Sequence, residues 1–563
     1  MDNYRVRYEE WLNAAYIDDE TKDELKAIKD EKEIEDRFYR DLEFGTAGLR
    51  GIIGAGTNRM NKYVVRRATQ GLANYIIKQV GLEKNPSVAI AYDSRHMSKE
   101  FSDEVARCFA ANGIKAYRFE DLRPTPELSF TIRELGCTAG VNITASHNPS
   151  NYNGYKVYWA DGAQITPPHD SGIMDEVLSI SDFSVCKTMT KEEAEAAGLY
   201  VTIGSELDEK FIQRVEDTIV NKDLIKEMAD KITFVYTPLN GTGLVPVTRV
   251  IKDLGFKNVY VVPEQAEPNG DFPTTPYPNP EAPETFTLAL KLAKEKDADL
   301  VLATDPDADR LGIYVKDKDG SYVSFTGNMT ASLLCEYILS QRAKRNELPA
   351  DGVVMTTIVS TRLMGAISKR WGCELIKCLT GFKWMGREIL KEELEGNIRY
   401  QYGMEESYGC LIGTYARDKD AVSAVASLCE AAAYYKAEGK TLIDAMNDMY
   451  ETYGYYREFG KSISFPGIEG AAKMQSLMDG FRSNPPKNFG SFTVENVIDY
   501  KNDETGLPKS NVLEYDLNDD AWVCIRPSGT EPKIKFYCGV KGKNAEDAEA
   551  LIAELNKALE ALV

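Results

Sequence analysis

Three stretches of this chain repeat one order of residue types. Each has an apolar run rich in β-branched residues, a loop, an amphipathic stretch that ends in glycine, and a second apolar run; they begin at residues 87, 232 and 352. Gly113, Gly255 and Gly372 stand where a helix ends in a left-handed backbone conformation. Strands that alternate with helices indicate α/β units. The repeat spacing exceeds 100 residues, which is too wide for a solenoid. The pattern therefore predicts three related α/β domains, with chance echoes inside an ordinary α/β protein as the alternative.

The two ends of the chain follow other patterns. Residues 1 to about 38 are dense in charge and carry apolar residues at helical spacing, which predicts an amphipathic helical lead-in. From Tyr456 onward, strand-like pieces precede one final helix, which predicts a smaller α+β domain. A chain of 563 residues is too long for a single core. We therefore divide it into domains at 1–205, 206–324, 325–455 and 456–563, with the lead-in inside the first.

The charge of the chain limits its partners. With 67 Lys and Arg against 88 Asp and Glu, the formal charge is −21, a sign that repels nucleic acid and anionic lipid. A phosphorylated substrate would therefore need basic residues gathered locally at its site. No apolar run approaches the ~20 residues of a membrane span, and the N-terminus has no signal-peptide core. The ten scattered cysteines form no CxxC pair, so we expect reduced thiols in a cytoplasmic protein without a structural zinc site.

A buried strand leads directly into three aspartates. The run ADLVLAT is followed by Asp305, Asp307 and Asp309 at alternate positions. Carboxylates this close together are costly unless a cation lies among them. An EF-hand loop would need Gly at its sixth position and Glu at its twelfth, where this chain has Arg310 and Lys316. Three oxygen ligands in an open coordination sphere instead favour Mg²⁺ bound together with a phosphate oxygen, a solvated acidic turn being the alternative.

Ser146 follows another apolar run, GVNIT, in a segment rich in turn-forming residues. We interpret TASHNPSNYNGYK, from Thr144 to Lys156, as an irregular loop on which a hydroxyl would be exposed and reactive. The GxSxG elbow of hydrolases is absent, because Thr144 and Asn148 occupy its glycine positions. Taken alone, the segment is more typical of an ordinary turn than of a catalytic site.

Two further segments carry groups suited to a phosphate or a sugar. IRPSGTEPKIKFY offers the guanidinium of Arg526, two hydroxyls and a backbone opened by Gly529, all suitable donors to a phosphate. GMEESYG, from Gly403 to Gly409, combines carboxylates and a hydroxyl and is able to bind sugar hydroxyls.

Four motifs, TASHNP, DPDADR, EESYG and RPSGTEP, occur in this order along the chain. Together they resemble the motifs of the α-D-phosphohexomutase superfamily, which includes phosphoglucomutases and phosphomannomutases. The resemblance runs from about Phe44 to Tyr537, nearly the whole chain. It implies four domains around a central cleft, the first three of them related α/β domains, in agreement with the three repeated stretches.

The resemblance also implies roles for individual residues. Ser146 corresponds to the serine that carries the phosphoryl group, and its phosphate would join Asp305, Asp307 and Asp309 as ligands of Mg²⁺. The catalytic neighbours implied are Arg50, Arg310 beside the phosphoserine, and His147 and Lys156 as alternatives for proton transfer. The substrate-binding residues implied are Thr380, Gly381, Glu405, Ser407, Lys419, Arg526, Ser528, Gly529, Thr530 and Lys535. A lysine crowded by cations can have a lowered pKa, which would suit Lys156 as a base, whereas an unperturbed histidine has a pKa of about 6.5.

The activity implied is the interconversion of glucose 1-phosphate and glucose 6-phosphate, with glucose 1,6-bisphosphate as intermediate and activator. Small phosphorylated sugars are thus the expected partners. Mannose phosphates and then pentose phosphates are the alternatives, the latter because some similar long-chain relatives use pentoses. Met404 and Tyr408 depart from the common residues of the sugar loop and leave the identity of the sugar open. A phosphatase would not explain a second phosphate site, and a non-catalytic sugar-phosphate sensor would not need Ser146 and all three aspartates. The sequence indicates no oligomeric state.

Overall fold

The strands in the described part of this chain form four sheets, one after another along the sequence. The computed structural model describes residues 3–43, 48–465, 470–528 and 533–562. We refer to the parts that carry the four sheets as the first to fourth domains. Their order confirms the predicted fold class of three related α/β domains followed by a smaller α+β domain, whereas the boundaries at 205, 324 and 455 stay a prediction.

The first domain contains, in chain order, α1 (Asn3–Asn13), α2 (Asp19–Ala27), α3 (Glu31–Phe38), β1 (Gly48–Ile52), α4 (Lys62–Val80), β2 (Ser87–Tyr92), α5 (Ser98–Ala111), β3 (Lys115–Phe119), α6 (Thr125–Glu134), β4 (Ala139–Ile143), β5 (Tyr152–Trp159), α7 (His169–Ser179), α8 (Lys191–Ala196) and β6 (Tyr200–Ile203). The second contains α9 (Ser205–Glu216), α10 (Lys222–Met228), β7 (Thr233–Thr237), α11 (Leu244–Asp253), β8 (Asn258–Val261), α12 (Pro263–Ala266), α13 (Thr287–Lys296), β9 (Leu300–Thr304), β10 (Leu311–Lys316) and β11 (Tyr322–Phe325).

The third domain contains α14 (Gly327–Lys344), β12 (Val353–Thr357), α15 (Leu363–Arg370), β13 (Glu374–Cys378), α16 (Lys383–Leu394), β14 (Tyr400–Glu405), β15 (Gly409–Leu411), α17 (Ala421–Ala437) and α18 (Leu442–Tyr453). The fourth contains β16 (Tyr455–Ser464), α19 (Gly470–Ser483), β17 (Asn488–Phe489), β18 (Phe492–Asp499), β19 (Leu513–Leu517), β20 (Trp522–Pro527), β21 (Lys533–Gly542) and α20 (Ala545–Glu560).

The same four-strand pattern occurs in the first three sheets. Neighbouring strands run in the orders β3-β2-β4-β5, β8-β7-β9-β10 and β13-β12-β14-β15. In each, the first three strands are parallel and the fourth is antiparallel to the third. The chain therefore turns back at one equivalent place in each domain, the carboxyl end of the third strand. We call these connections the reversal loops: residues 144–151, 305–310 and 406–408.

The equivalent helix ends carry the predicted glycines. Gly113, Gly255 and Gly372 have φ of 76°, 105° and 71°, which confirms the left-handed conformation expected after α5, α11 and α15. The apolar runs on either side form the predicted strands, and their side chains fill the cores between sheets and helices. Local sequence thus specifies where each unit starts and ends.

The helical lead-in consists of three short helices, α1 to α3. Trp11 lies edge-on to the rings of Phe38, Tyr63 and Phe183, which joins these helices to α4 and the core of the first domain. All ten cysteines are free and buried. Within the part of the chain that the structure describes, no helix has both the length and the apolar character needed to cross a membrane.

The fourth domain is an antiparallel sheet covered by two helices. Its strand order is β16-β21-β20-β19-β18-β17. The sequence predicted one final helix, which is α20, but α19 also lies in this domain and contributes Met478 and Phe481 to its core. Gly470 and Gly480 weaken the helical pattern of α19, because glycine has a low helix propensity.

We predict different effects for alanine at a glycine inside α15 and at the glycine that follows this helix. Gly372→Ala should lower the free energy of unfolding by about 1–2 kcal/mol, because a Cβ disfavours the left-handed backbone even though nothing lies within 4 Å of it. Gly365→Ala, inside α15, should be neutral or stabilising by up to about 1 kcal/mol, since its Cβ meets only Leu375 Cδ2, at 3.6 Å. Thermal unfolding of both variants checks this, and equal melting temperatures would contradict it.

Candidate active site

The three reversal loops and the β20–β21 hairpin meet around one cleft. Parallel α/β sheets bind ligands beyond the carboxyl ends of their strands, which is where these loops lie. The cleft has a volume of about 910 Å³ and adjoins a second cavity of about 540 Å³. Of the residues predicted from sequence, the cleft is lined by Arg50, His147, Arg310, Thr380, Gly381, Glu405, Ser407, Arg526, Ser528 and Lys535. The second cavity is lined by Arg50, Ser146, Lys156, Asp309, Arg310, Gly381, Glu405 and Lys419. Gly529 and Thr530 lie outside the described residues.

Ser146 lies in the first reversal loop, just past the carboxyl end of β4. Its φ is 51°, a conformation that costs a non-glycine residue about 1–3 kcal/mol. Its amide donates to Thr144 Oγ1 at 2.8 Å, and its hydroxyl donates to Asp305 Oδ2 at 2.6 Å. The same oxygen is 3.1 Å from His147 Nδ1. The loop therefore aims this hydroxyl at the second reversal loop instead of exposing it to water, and the side chain is buried.

Three carboxylates of the second reversal loop lie together, fully buried. One ligand oxygen from each of Asp305, Asp307 and Asp309 lies within 4.8 Å of the others. Asp307 Oδ2 accepts from Thr125 Oγ1 at 2.9 Å and from Lys156 Nζ at 2.7 Å. Asp307 Oδ1 and Asp309 Oδ1 are buried and have no hydrogen-bond partner among the residues that the structure describes. Such oxygens are costly unless they bind a cation, so this donor set fits a hard divalent metal ion.

Lys156 lies on β5, not on the irregular loop predicted from the sequence, because the first reversal loop ends at residue 151. Burial alone would lower the pKa of Lys156, but the carboxylates of Asp307 and Asp309 outweigh it and raise this pKa. The expected lowering by neighbouring cations is therefore wrong. Lys156 is a charged partner of the aspartates, and its Nζ is also 3.7 Å from Asp309 Oδ2.

His147 differs from Lys156 in its electrostatic surroundings. Burial, followed by the nearby cations Arg310 and Arg50, lowers the pKa of His147 well below its ordinary value. The ring lies edge-on to Tyr277, with 5.6 Å between centroids. At neutral pH His147 is thus a neutral imidazole next to the Ser146 hydroxyl.

The third reversal loop follows Glu405, the last residue of β14. Lys419 Nζ lies 3.8 Å from Glu405 Oε2 and 3.2 Å from Asp309 Oδ2, so it connects this loop to the carboxylate cluster. The carbonyl of Tyr408 accepts from the amide of Leu311 at 2.8 Å. Tyr408 lines the cleft, whereas Met404 is buried against Thr356 away from it. Of the two departures noted in the sequence, only Tyr408 borders the cleft.

The fourth domain brings basic residues to the cleft. Arg526 at the end of β20 lies opposite Lys535 on β21 in the sheet register. Burial, and then the charges of Arg526 and Lys533, lower the pKa of Lys535. Positive charge is therefore gathered locally at this hairpin, as the negative net charge of the chain required of any phosphate site.

Several residues of the site escaped the sequence analysis. Arg95, after β2, donates to backbone carbonyls of the first reversal loop. Thr125 binds Asp307, and Glu281 forms an ion pair with Arg310 at 2.6 Å. Tyr277 contacts His147. The available signal was their position, since Arg95 and Thr125 each follow the carboxyl end of a parallel strand.

Four domains of one protein family match this chain in order. Phosphoglucomutase/phosphomannomutase alpha/beta/alpha domains I, II and III match residues 41–183, 209–320 and 326–453, and the C-terminal domain of that family matches residues 492–558. The chain is 36% identical over 530 residues to the phosphoglucomutase of Staphylococcus haemolyticus, which covers 91% of this chain and 92% of that protein.

Two solved structures have a similar fold. Parafusin, a phosphoglucomutase from Paramecium in an open form, aligns with a TM-score of 0.70 at 18% identity and covers 93% of this chain and 95% of its own. N-acetylphosphoglucosamine mutase from Aspergillus fumigatus aligns with a TM-score of 0.51 at 11% identity, over 93% of this chain and 96% of its own.

We predict that divalent cations stabilise the protein through the three aspartates. Mg²⁺ or Mn²⁺ at about 100 times its dissociation constant should add about 2.7 kcal/mol to the free energy of unfolding. Asp309→Asn should abolish most of this increment, because it removes an anionic ligand. Glu430→Gln should keep the increment, because Glu430 is a buried carboxylate that accepts from the amide of Val220 and lines neither cavity of the site. Thermal unfolding with and without cation measures the increment, and an equal shift in all three proteins would contradict the site.

Proposed function

The chain belongs to the phosphoglucomutase/phosphomannomutase family, and from that premise we propose that it interconverts glucose 1-phosphate and glucose 6-phosphate through a phosphorylated Ser146. The observation that carries this proposal is the hydrogen bond of 2.6 Å from the Ser146 hydroxyl to Asp305, inside a cluster with unpartnered carboxylate oxygens. A transferable phosphoryl group on Ser146 would lie directly beside a cation held by that cluster. Glucose 1,6-bisphosphate is the intermediate and activator in this proposal.

Asp305, Asp307 and Asp309 would hold Mg²⁺, with the Ser146 phosphate as a further ligand. When bound, Mg²⁺ supplies positive charge to the oxygens of the transferred phosphoryl group. The Aspergillus fumigatus mutase was solved with GlcNAc-6P and magnesium, which supports this class of ligand and metal. We also propose a cytoplasmic location, supported by the ten free thiols.

The residues of this chain would act mainly by placing charge around a loose transition state. Arg50 and Arg310 line both cavities and would neutralise the phosphoryl oxygens at Ser146. Arg526, Ser528 and Lys535 would bind the phosphate that does not react, together with Gly529 and Thr530 of the same motif. Glu405 and Ser407 would accept and donate hydrogen bonds to sugar hydroxyls, with Thr380, Gly381 and Lys419 beside them.

Proton transfer to and from the reacting hydroxyl would use His147 or Lys156. The neutral imidazole of His147 and its 3.1 Å distance from the Ser146 oxygen favour His147 as the acceptor. Lys156 is held as a cation by Asp307 and would instead stabilise the carboxylates. The pH–rate profiles of His147→Gln and Lys156→Met separate these two assignments.

Substrates of other chemistry remain alternatives within the same mechanism. Tyr408 borders the cleft at the sugar loop, so mannose or pentose phosphates are the candidates to test against glucose phosphates. A sugar-phosphate sensor would bind the same compounds without turnover.

We predict that Ser146→Ala removes mutase activity while the protein still folds, because the change removes one buried hydrogen bond to Asp305, at a cost of about 1.5–3 kcal/mol in the free energy of unfolding. Ser150→Ala, in the same loop, should keep both activity and phosphorylation. The measurements are kcat/KM for the 1-phosphates of glucose, mannose, glucosamine and ribose, and the mass of the intact active enzyme. Absence of turnover of every sugar phosphate by the wild-type protein would contradict the proposal and favour a sensor. Release of inorganic phosphate would favour a phosphatase.

We predict that Arg526→Ala raises KM for the monophosphate by about 10–100-fold, because it removes a charge-assisted hydrogen bond to the phosphate. It should also release bisphosphate into solution and make activity depend on added glucose 1,6-bisphosphate. Arg457→Ala is the control, because Arg457 lies in the same domain and pairs with Glu549 on the surface. Steady-state kinetics with and without added bisphosphate test this prediction. An unchanged KM and no dependence on the activator would mean that the hairpin does not bind the phosphate and is only a polar turn.

A further inference from the structure

Arg95 lies beneath the first reversal loop and binds its backbone. Its Nη1 donates to the carbonyl oxygens of Pro149 at 2.7 Å and Tyr152 at 3.1 Å. Its Nη2 donates to the carbonyl oxygens of Ser146 and Asn148. One guanidinium therefore satisfies four carbonyls that span the loop from the reactive serine to the start of β5.

The guanidinium of Arg95 is itself held from two sides. Its Nε lies 3.4 Å from Asp93 Oδ2, and both side chains are completely buried. The ring of Phe272, in the second domain, lies under it with 5.0 Å between the guanidinium carbon and the ring centroid. A Cβ at Gly270 would come within 2.7 Å of the amide of His96, so the backbones of the two domains touch beside this contact.

This arrangement acts on the strained residue of the loop. Ser146 has a left-handed backbone that a serine leaves unless surrounding contacts hold it. Its carbonyl points into the fold, toward Arg95, while its hydroxyl points toward Asp305. The hydrogen bond from Arg95 fixes the carbonyl of Ser146, and with it the backbone from which the hydroxyl extends toward Asp305.

We propose that Arg95 is a positioning residue for phosphoryl transfer, which holds the Ser146 loop in its strained form, and that Phe272 ties this position to the domain that carries the aspartates. The inference rests on the proposed function, since positioning matters only if Ser146 transfers a group. Arg95 contacts the backbone of Ser146 and not its hydroxyl, so its effect is on alignment.

Arg118 provides a matched control for Arg95. It is also a buried arginine of the first domain, and its side chain donates to Ser102 Oγ and to the carbonyls of Phe119 and Lys99. It likewise lies over an aromatic ring, that of Tyr92, at 4.8 Å. Arg118 makes no hydrogen bond to the first reversal loop. A substitution of Arg118 therefore measures how far the loss of a buried arginine alone lowers stability and activity.

The test compares Arg95→Lys with Arg118→Lys. Lysine keeps the charge but cannot donate to four carbonyls in a planar fork. Arg95→Lys should lower kcat per folded molecule by about 100-fold, the cost of misplacing a reacting group by roughly 1 Å, with little change in KM for the monophosphate. It should slow the phosphorylation of Ser146 by glucose 1,6-bisphosphate in a single turnover by a similar factor. Arg118→Lys should lower the melting temperature comparably and leave both rates unchanged.

Phe272→Leu gives a second variant should Arg95→Lys fold poorly. It keeps an apolar side chain and removes the ring, so kcat should fall by about 2–5-fold in the same direction. Amide hydrogen exchange provides a readout apart from turnover. Exchange in the peptide that spans residues 144–155 should rise in Arg95→Lys and Phe272→Leu and stay at the wild-type level in Arg118→Lys.

Equal kcat per folded molecule in Arg95→Lys and the wild type, or equal exchange in the loop, would overturn the proposal and leave the proposed function standing. An inactive wild-type enzyme would overturn both, and the wild-type assay run beside the variants identifies that case.

Discussion

The structure depends on one buried contact between the first and second domains. Asp305 and Asp307 of the second domain accept hydrogen bonds from Ser146, Lys156 and Thr125 of the first. Buried carboxylates are tolerated only when they are paired, so separation of these domains would leave charges of both signs without partners. The same pairs that join the domains also fix the reactive hydroxyl against the carboxylates. The contacts that pack the first domain against the second therefore also orient the Ser146 hydroxyl toward Asp305.

Three of the four segments that form the cleft follow from repetition of a single connection. A strand antiparallel to the third parallel strand forces the chain to turn back at the same sheet edge in all three α/β domains. That turn carries Ser146 in the first domain, the aspartates in the second, and the residues after Glu405 in the third. Because these loops lie at equivalent positions of three domains, their motifs are far apart in sequence yet meet in space.

Sequence reasoning succeeded where the signal is local. Alternating apolar runs gave the strands, the glycines gave the helix ends, and three aspartates after a buried strand gave the cluster. It failed where a role depends on a distant partner. The sequence places Lys156 on an irregular loop among cations, because nothing near it in sequence reveals Asp307, which is 151 residues away. Arg95 was missed because its four acceptors are backbone carbonyls, which carry no residue-type signal.

Acidic and basic side chains form pairs near Ser146, whereas basic side chains cluster at the β20–β21 hairpin. Near Ser146, Lys156 pairs with Asp307, and Arg310 pairs with Glu281. At the β20–β21 hairpin, Lys535 lies opposite Arg526 in the sheet register and two residues from Lys533. Burial, followed by these like charges, lowers the pKa of Lys535 despite the opposing carboxylate of Glu406. An incoming dianion would relieve that repulsion at the hairpin. Near the serine, the dianion would instead have to compete with Asp307 and Glu281 for the cations Lys156 and Arg310. Under the proposed function, the substrate phosphate would therefore bind at the hairpin, and the three aspartates beside Ser146 would hold Mg²⁺, which would supply positive charge at the reacting end.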